Sequence, residues 1–208
     1  MLGIELPPFL IFYLGAVIAL LGGASWRGPV MIVVILLSAL NLWQLPAIYS
    51  VETELMGMAL KPIHIDRLSL LFGYLFHIAA LISVIYSLHI KDRMQQVAAM
   101  LYAGSALGAV FAGDLLTLFV FWEMLAVTSV FLIWARRTDR AYSAGMRYLI
   151  IQVISGLLLL VGIILHAQES ASLMFTEIGL GSMASWFMFM AFGIKCAFPF
   201  FHNWLTDA

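Results

Sequence analysis

The chain has 208 residues, 64% of them hydrophobic and 10% charged, with a formal net charge of −1 and a mean hydropathy of +1.06. A soluble domain carries roughly 25% charged residues, so a soluble globular fold is excluded and a bundle of membrane helices is implied. The near-neutral charge argues against nucleic acid as a partner, and the single cysteine, Cys196, makes neither an intrachain disulfide nor a metal site.

Pro7 to Gly23 predicts a first span, with Pro7 and Pro8 at a helix start where a missing N–H does no harm. The opening MLGIELPPFL lacks the positive n-region of a signal peptide, so this segment reads as retained. Ser25-Trp26-Arg27 reads as a polar turn, and Gly28 to Leu45 as the second span. Pro46 to His64 holds Glu52, Glu54 and Lys61, too polar to cross a bilayer; its two short stretches predict a small hairpin on the periplasmic side, near 46–64. Asp66 suits the positive end of a helix, and Leu68 to Ile90 is the third span, with His77 inside it. Met94 to Ala112 is the fourth span, rich in Ala, Gly and Ser, which let helix backbones approach closely in a membrane. These helices form residues 1–112; residues 113–208 form a second part holding helices 5–7.

The stretch Gly113 to Trp134, GDLLTLFVFWEMLAVTSVFLIW, has the length that crosses a ~30 Å hydrocarbon core and carries one acid, Glu123, near its middle. Asp114 reads as the cap of that helix. Ala135 to Arg147 is a basic connection, Tyr148 to His166 the sixth span, Gln168 to Gly181 a loop, and Ser182 to about Phe201 a seventh span interrupted by Pro199. Seven spans put Arg27, Lys91, Arg93, Arg136, Arg137, Arg140 and Arg147 on one side, and Lys61 and Arg67 on the other. The positive-inside rule then places the N-terminus outside.

Two charges lie within apolar segments, Glu123 and Lys195. An ionised group at the bilayer centre costs at least roughly 2.5 kcal/mol and needs a partner, a proton or water. Burial disfavours both charged forms while a close partner favours both. A pair that opens and closes therefore changes its proton affinity, which is what a proton path needs. The plainer alternatives are that Lys195 snorkels to the headgroups, or that the pair statically locks two helices. Pro199 would free the carbonyl of Lys195, and a freed carbonyl must face protein or water, so the end of the seventh helix is expected to line a hydrated cavity. His202 there either relays protons or satisfies backbone. His77 reads as a neutral imidazole bonded to a neighbouring helix, or as an accessory group. Arg147 reads as a headgroup anchor, with gating as the minor alternative. His64 and Asp66 read as polar surface rather than metal ligands. No phosphate loop, nucleophile–base arrangement, or haem or iron–sulphur ligand set is present, so no metal or cofactor is expected.

GDLLTLFVFWEMLAVTSVFLIW, GIKCAFPFFHNWLTDA and MGMALKPIHIDRLSLLF together resemble the antiporter-like membrane subunits of respiratory complex I, membrane-bound hydrogenases and Mrp-type cation/proton antiporters, most nearly the Mrp-type D subunit in its N-terminal half. The resemblance implies an all-α polytopic bundle that is the first part of a 14-helix inverted-repeat fold. It assigns Glu123 and Lys195 to the ion-translocating pair, and Pro199 and His202 to the helix break. Thr206 stands where the family usually has Pro after Trp-Leu. It implies proton translocation, with or without exchange for Na⁺, in the inner (plasma) membrane of a prokaryote. The partners it implies are other membrane subunits, including a segment supplying the remaining helices. It implies no cofactor in this subunit and no chemistry of its own, and a redox-driven translocase such as NADH:quinone oxidoreductase or hydrogenase is among the assemblies it implies. A non-conducting scaffold and a quinone-site subunit, with His77 or His202 beside the quinone, are the alternative functions.

Overall fold

The computed structural model describes residues 6–55 and 57–207. The expectation for the first five residues lies outside them. The elements in order are α1 (Pro8–Leu21), α2 (Ala24–Gln44), β1 (Tyr49–Leu55), β2 (Met58–Ile65), α3 (Arg67–Tyr86), α4 (Arg93–Val110), α5 (Leu115–Trp134), α6 (Asp139–Ser170), α7 (Met183–Lys195) and the short α8 (Asn203–Asp207). Among the described residues four helices, α2, α3, α5 and α6, are long and apolar enough to cross a membrane; α1 and α7 are shorter apolar helices. The chain divides into two units, residues 1–50 with 63–111, and residues 51–62 with 112–208.

In the first unit α1 packs on α2 and α4, and α3 packs on α2 and α4. The core is built from Phe12, Met31, Ile35, Leu42, Met100, Leu107 and Phe111, joined by Ile63 and Ile65 from the end of β2. The small-residue face of α4 meets α1, where the Tyr13 hydroxyl and Ser105 Oγ lie 3.0 Å apart. α2 begins at Ala24, so Arg27 belongs to its first turn rather than to a connecting turn. Its guanidinium donates to the Lys91 carbonyl at 2.9 Å. α3 starts on a capping box: the Ser69 amide donates to the Asp66 carboxylate at 2.7 Å, and the Asp66 amide donates to Ser69 Oγ at 2.8 Å.

In the second unit α6 packs against α5, α7 and α8. Leu60 of β2 joins Leu115, Trp122, Leu159, Ile163, Leu173, Met188 and Ala191 in its core. The start of α5 is tied to β2 through Asp114, which is fully buried. Its carboxylate caps α5 by accepting the Thr117 amide at 2.7 Å and the Thr117 hydroxyl at 2.7 Å. It also accepts the Lys61 amide of β2 at 2.8 Å. The Gly113 amide donates to the Lys61 carbonyl, and the Leu115 amide to the Leu173 carbonyl, each at 2.9 Å.

Two segments differ from the sequence-based expectation. Arg140 and Arg147 lie in α6, not in a connection, because Thr138 caps the helix by accepting the Ala141 amide and Asp139 occupies the favourable first turn. At ~1.5 Å per residue α6 is about 48 Å long, so its basic first turns extend beyond a ~30 Å core. The expected seventh span to Phe201 is not formed, since α7 ends at Lys195, before Pro199. Ala197 turns left-handed (φ 55°), and the Phe198 amide closes back on the Gly193 carbonyl at 2.9 Å. The Phe198 ring occupies the space where a Gly193 side chain would stand, 2.8 Å from an ideal Cβ. A six-to-one bond of this kind is how helices commonly stop; Pro199 follows the break rather than making it.

Two predictions come from the caps. Asp114→Ala orphans buried donors at the junction of β2, α5 and the loop after α6. It should lower unfolding stability by about 2–4 kcal/mol, read as a lower thermal midpoint in detergent; an unchanged midpoint would remove Asp114 from the junction. The hydrogen bonds from Ser69 hold the Asp66 carboxyl below its ordinary 3.8. A depressed folded-state value adds stability above the unfolded value, lost as pH falls through the folded one. The midpoint difference between the parent chain and Asp66→Ala should therefore persist above pH 3.8 and shrink below it. A difference independent of pH would show that the carboxylate charge plays no part.

Candidate functional site

Glu123 is the ninth residue of α5, close to the helix midpoint. Its carboxylate presses against Gly156 of α6, where a Cβ would overlap the carboxylate oxygen. Glu123 Oε1 is buried without a hydrogen-bond partner. The α5–α6 interface runs antiparallel in register. Gly145 lies under Trp134, the Tyr148 hydroxyl meets Ser129 Oγ at 2.7 Å, and Gly156 lies under Glu123. These α6 positions are spaced by three and four residues or multiples of them, so they share one helix face.

Lys195 is the last residue of α7, where a cation suits the helix's negative end. Its side chain turns inward. Nζ donates to the Trp122 carbonyl at 3.3 Å and lies 4.7 Å from the Trp122 ring centroid. That ring is held edge-on by Phe192 at 5.0 Å. α7 is further fastened to α6 by the Ser155 hydroxyl, which donates to the Ala191 carbonyl at 2.9 Å. Lys195 thus grips the residue preceding Glu123, hydrogen-bonded to backbone and not paired with the carboxylate.

The remaining expected residues fall elsewhere. His202 is exposed in the turn before α8, and among the described residues it makes no hydrogen bond with Glu123 or Lys195. Pro199 is exposed as well. Arg147 forms an ion pair with Asp207 at 3.2 Å, both half-exposed. His77 belongs to the first unit, where its Nδ1 faces the Gly73 carbonyl at 2.7 Å and its Nε2 the Ser38 hydroxyl at 2.8 Å. Gln152, Ser155 and Gly156 were not singled out by the sequence. Only the helical spacing of Tyr148, Gln152 and Gly156 could have grouped any of them.

A profile of the family described as NADH:quinone oxidoreductase/Mrp antiporter, TM, matches residues 112–208. Residues 112–208 belong to this antiporter-like membrane family. The match covers α5 to α8 and contains Glu123 and Lys195. The antiporter-like chain is 32% identical over 164 residues to the Na(+)/H(+) antiporter subunit A1 of Staphylococcus aureus strain bovine RF122 / ET3-1, and equally to that of strain JH9. Those alignments take in 70% of this chain and 20% of each relative, so the chain spans about a fifth of their length. Its fold is that of the Mrp complex from Dietzia sp. DQ12-45-1b (TM-score 0.79, 23% identity, 97% of this chain and 24% of that one). It is also that of the membrane-bound sulfane sulfur reductase (MBS), an archaeal respiratory membrane complex (0.82, 22%, 98% and 36%). Respiratory complex I from Thermus thermophilus with bound NADH shares it too (0.79, 19%, 96% and 45%).

The close approach of Glu123 to Gly156 leaves no room for a side chain. Gly156→Val should expel the carboxylate from the interface and cost about 1–3 kcal/mol by overpacking, measured as a lower thermal midpoint. A midpoint equal to the parent's would show that the interface opens freely there.

Proposed function

We propose that this chain is a proton-translocating subunit of a multi-subunit Mrp-type or complex I-like assembly, with Glu123 and Lys195 as its proton-handling pair. The observation that carries the reading is a carboxylate at the midpoint of a membrane helix, its Oε1 buried without a partner, beside a lysine that reaches the preceding residue. A buried acid in this setting takes up a proton or meets water. Lys195 is within one residue of it along α5, so a small movement exchanges the Trp122 carbonyl for the carboxylate. Such an exchange changes the proton affinity of both groups.

The cation exchanged for H⁺ is Na⁺ in this proposal, because the curated relatives are Na(+)/H(+) antiporter subunits. Counting α1 to α6 as crossings, and α7 with the irregular backbone after it as the seventh, puts the N-terminus outside and the Arg-rich start of α6 at the cytoplasmic face of a prokaryotic plasma membrane, as the positive-inside rule favours. Other membrane subunits, of this class or with the D-subunit character that the sequence suggests, complete the path. The hairpin then faces the periplasm, and the exposed His202 lies by the cytoplasmic end of α7, while a proton leaving Lys195 passes to the helices that complete the path.

The test is proton- and Na⁺-coupled flux in membrane vesicles carrying the chain in its native assembly. Glu123→Gln and Lys195→Ala should each lower flux by about 100-fold, the scale lost when a proton-transferring group is removed. Parental flux in both variants would leave only a scaffolding role.

A further inference from the structure

Gln152 is fully buried, and among the described residues neither its amide oxygen nor its amide nitrogen has a hydrogen-bond partner. It lies on the α6 face that meets α5. One turn before it is Tyr148, bonded to Ser129 of α5; one turn after it is Gly156, under Glu123 of α5. Glu123 Oε1 is also buried and unpartnered. Three successive levels of one interface are therefore polar: a phenol–hydroxyl pair, an amide, and a carboxylate. The amide and the carboxylate Oε1 have hydrogen-bonding capacity that no group among the described residues satisfies. Native interiors rarely leave an amide in that condition, since burial without a hydrogen bond is strongly unfavourable. The usual resolution is ordered water with two to four polar partners.

We propose that Gln152 holds ordered water between Glu123 and the Tyr148–Ser129 pair, and that this file is the route by which protons reach Glu123. The proposal rests on Glu123 being a proton carrier, as argued above. Each α6 turn rises about 5.4 Å, a gap that a side-chain amide with a water on either side spans by hydrogen bonds. Ser129 Oγ donates its one proton to the Ala126 carbonyl at 3.0 Å, which leaves the Tyr148 hydroxyl to donate toward Ser129. Gln152 does not itself carry the proton. Its oxygen and nitrogen fix the water so that one hydrogen points at Glu123 Oε1; that water protonates the carboxylate and is reprotonated by the Tyr148 hydroxyl, whose O–H turns from Ser129 to the water and which takes a replacement proton from solvent at the Trp204 end. Lys195 lies outside this file: it approaches Trp122 from α7 and takes the proton onward. Glu123 is then loaded through α6 and unloaded through α7, and a path with separate inlet and outlet is what directional transfer requires. Trp204 flanks the Tyr148 end, its ring centroid 5.5 Å from that of Tyr148 and its indole N–H held by the Ile194 carbonyl at 3.1 Å.

The test uses the chain in its native assembly in membrane vesicles and reads two quantities in Gln152→Met. One is coupled flux; the other is the infrared C=O stretch of protonated Glu123, assigned by its loss in Glu123→Gln. Flux should fall about tenfold, the effect of removing one well-placed hydrogen-bonding group, and the band should move to higher frequency as the carboxyl loses its water. Gln152→Asn keeps an amide beside a slightly larger water space and should restore both. Gln152→Leu is a second apolar replacement in case Gln152→Met does not assemble. Parental flux in the apolar variants, with or without a band shift, overturns the route. Reduced flux with an unmoved band overturns the water contact and assigns Gln152 a packing role. Unchanged flux in Glu123→Gln would defeat the functional reading instead, while the band would still report whether Gln152 and Glu123 share water.

Discussion

A carboxylate in the middle of an apolar helix needs space on its neighbour, and α5 finds that space at Gly156. Because Gly156 has no Cβ, α6 approaches α5 closely enough to bury the Glu123 carboxylate between the two helices. Any larger residue would push it out, toward lipid or into the next interface. The same approach sets the register of the pair. With Gly156 under Glu123, Tyr148 arrives opposite Ser129 and Gly145 beneath Trp134. Membrane helices have no hydrophobic force pulling them together, so small residues and cross-helix polar contacts decide where they touch. Here those contacts coincide with the ionisable group.

The second element of the arrangement is the abrupt end of α7. Thirteen residues cover only about 20 Å, so the helix stops well short of a full crossing, and Lys195 is its last residue. The turn that stops it is local: a left-handed Ala197, the Phe198 amide returned to Gly193, and the Phe198 ring over that glycine. A lysine in mid-helix would be fixed by its helix face. At a terminus it has the freedom to fold back onto α5, and it does so at Trp122. Irregular backbone at membrane depth is tolerated only against protein or a hydrated cavity, which fits a helix that ends beside a polar interface. At the other end of α5, the buried Asp114 fastens the helix start to Lys61, while the Leu115 amide holds Leu173. α5 is thereby anchored at its start while its middle carries the acid.

Much of this was legible in the residues. The helical class followed from composition, and Glu123 stood out because an acid within an apolar run needs a partner, a proton or water. The polar stretch between α2 and α3 did form two short strands, and Asp114 and Asp66 did cap helices. His77 bonds to Ser38 of a neighbouring helix, the plainer of the two readings. What the sequence hid was set by tertiary contact. Pro199 drew attention to itself as a breaker, yet the break comes from Gly193 and Phe198, whose significance depends on a ring lying over a glycine. Arg140 and Arg147 looked like loop because basic residues cluster at connections, but a Thr138 cap brings both into α6. Gln152 gave no signal. One amide in an apolar helix is common, and only the positions of Tyr148 and Gly156 show which way it faces. The turn after α7 leaves His202 exposed.

The central claim concerns where two side chains sit when the chain is in lipid with its partners. The most direct measurement is a high-resolution electron cryo-microscopy map of the native assembly in lipid nanodiscs. The account predicts density for the Glu123 carboxylate against Gly156, with Lys195 Nζ within hydrogen-bonding distance of the Trp122 carbonyl or of that carboxylate. Lys195 extended to the headgroups, or Glu123 turned away from α6 with an apolar side chain filling the space at Gly156, would contradict it.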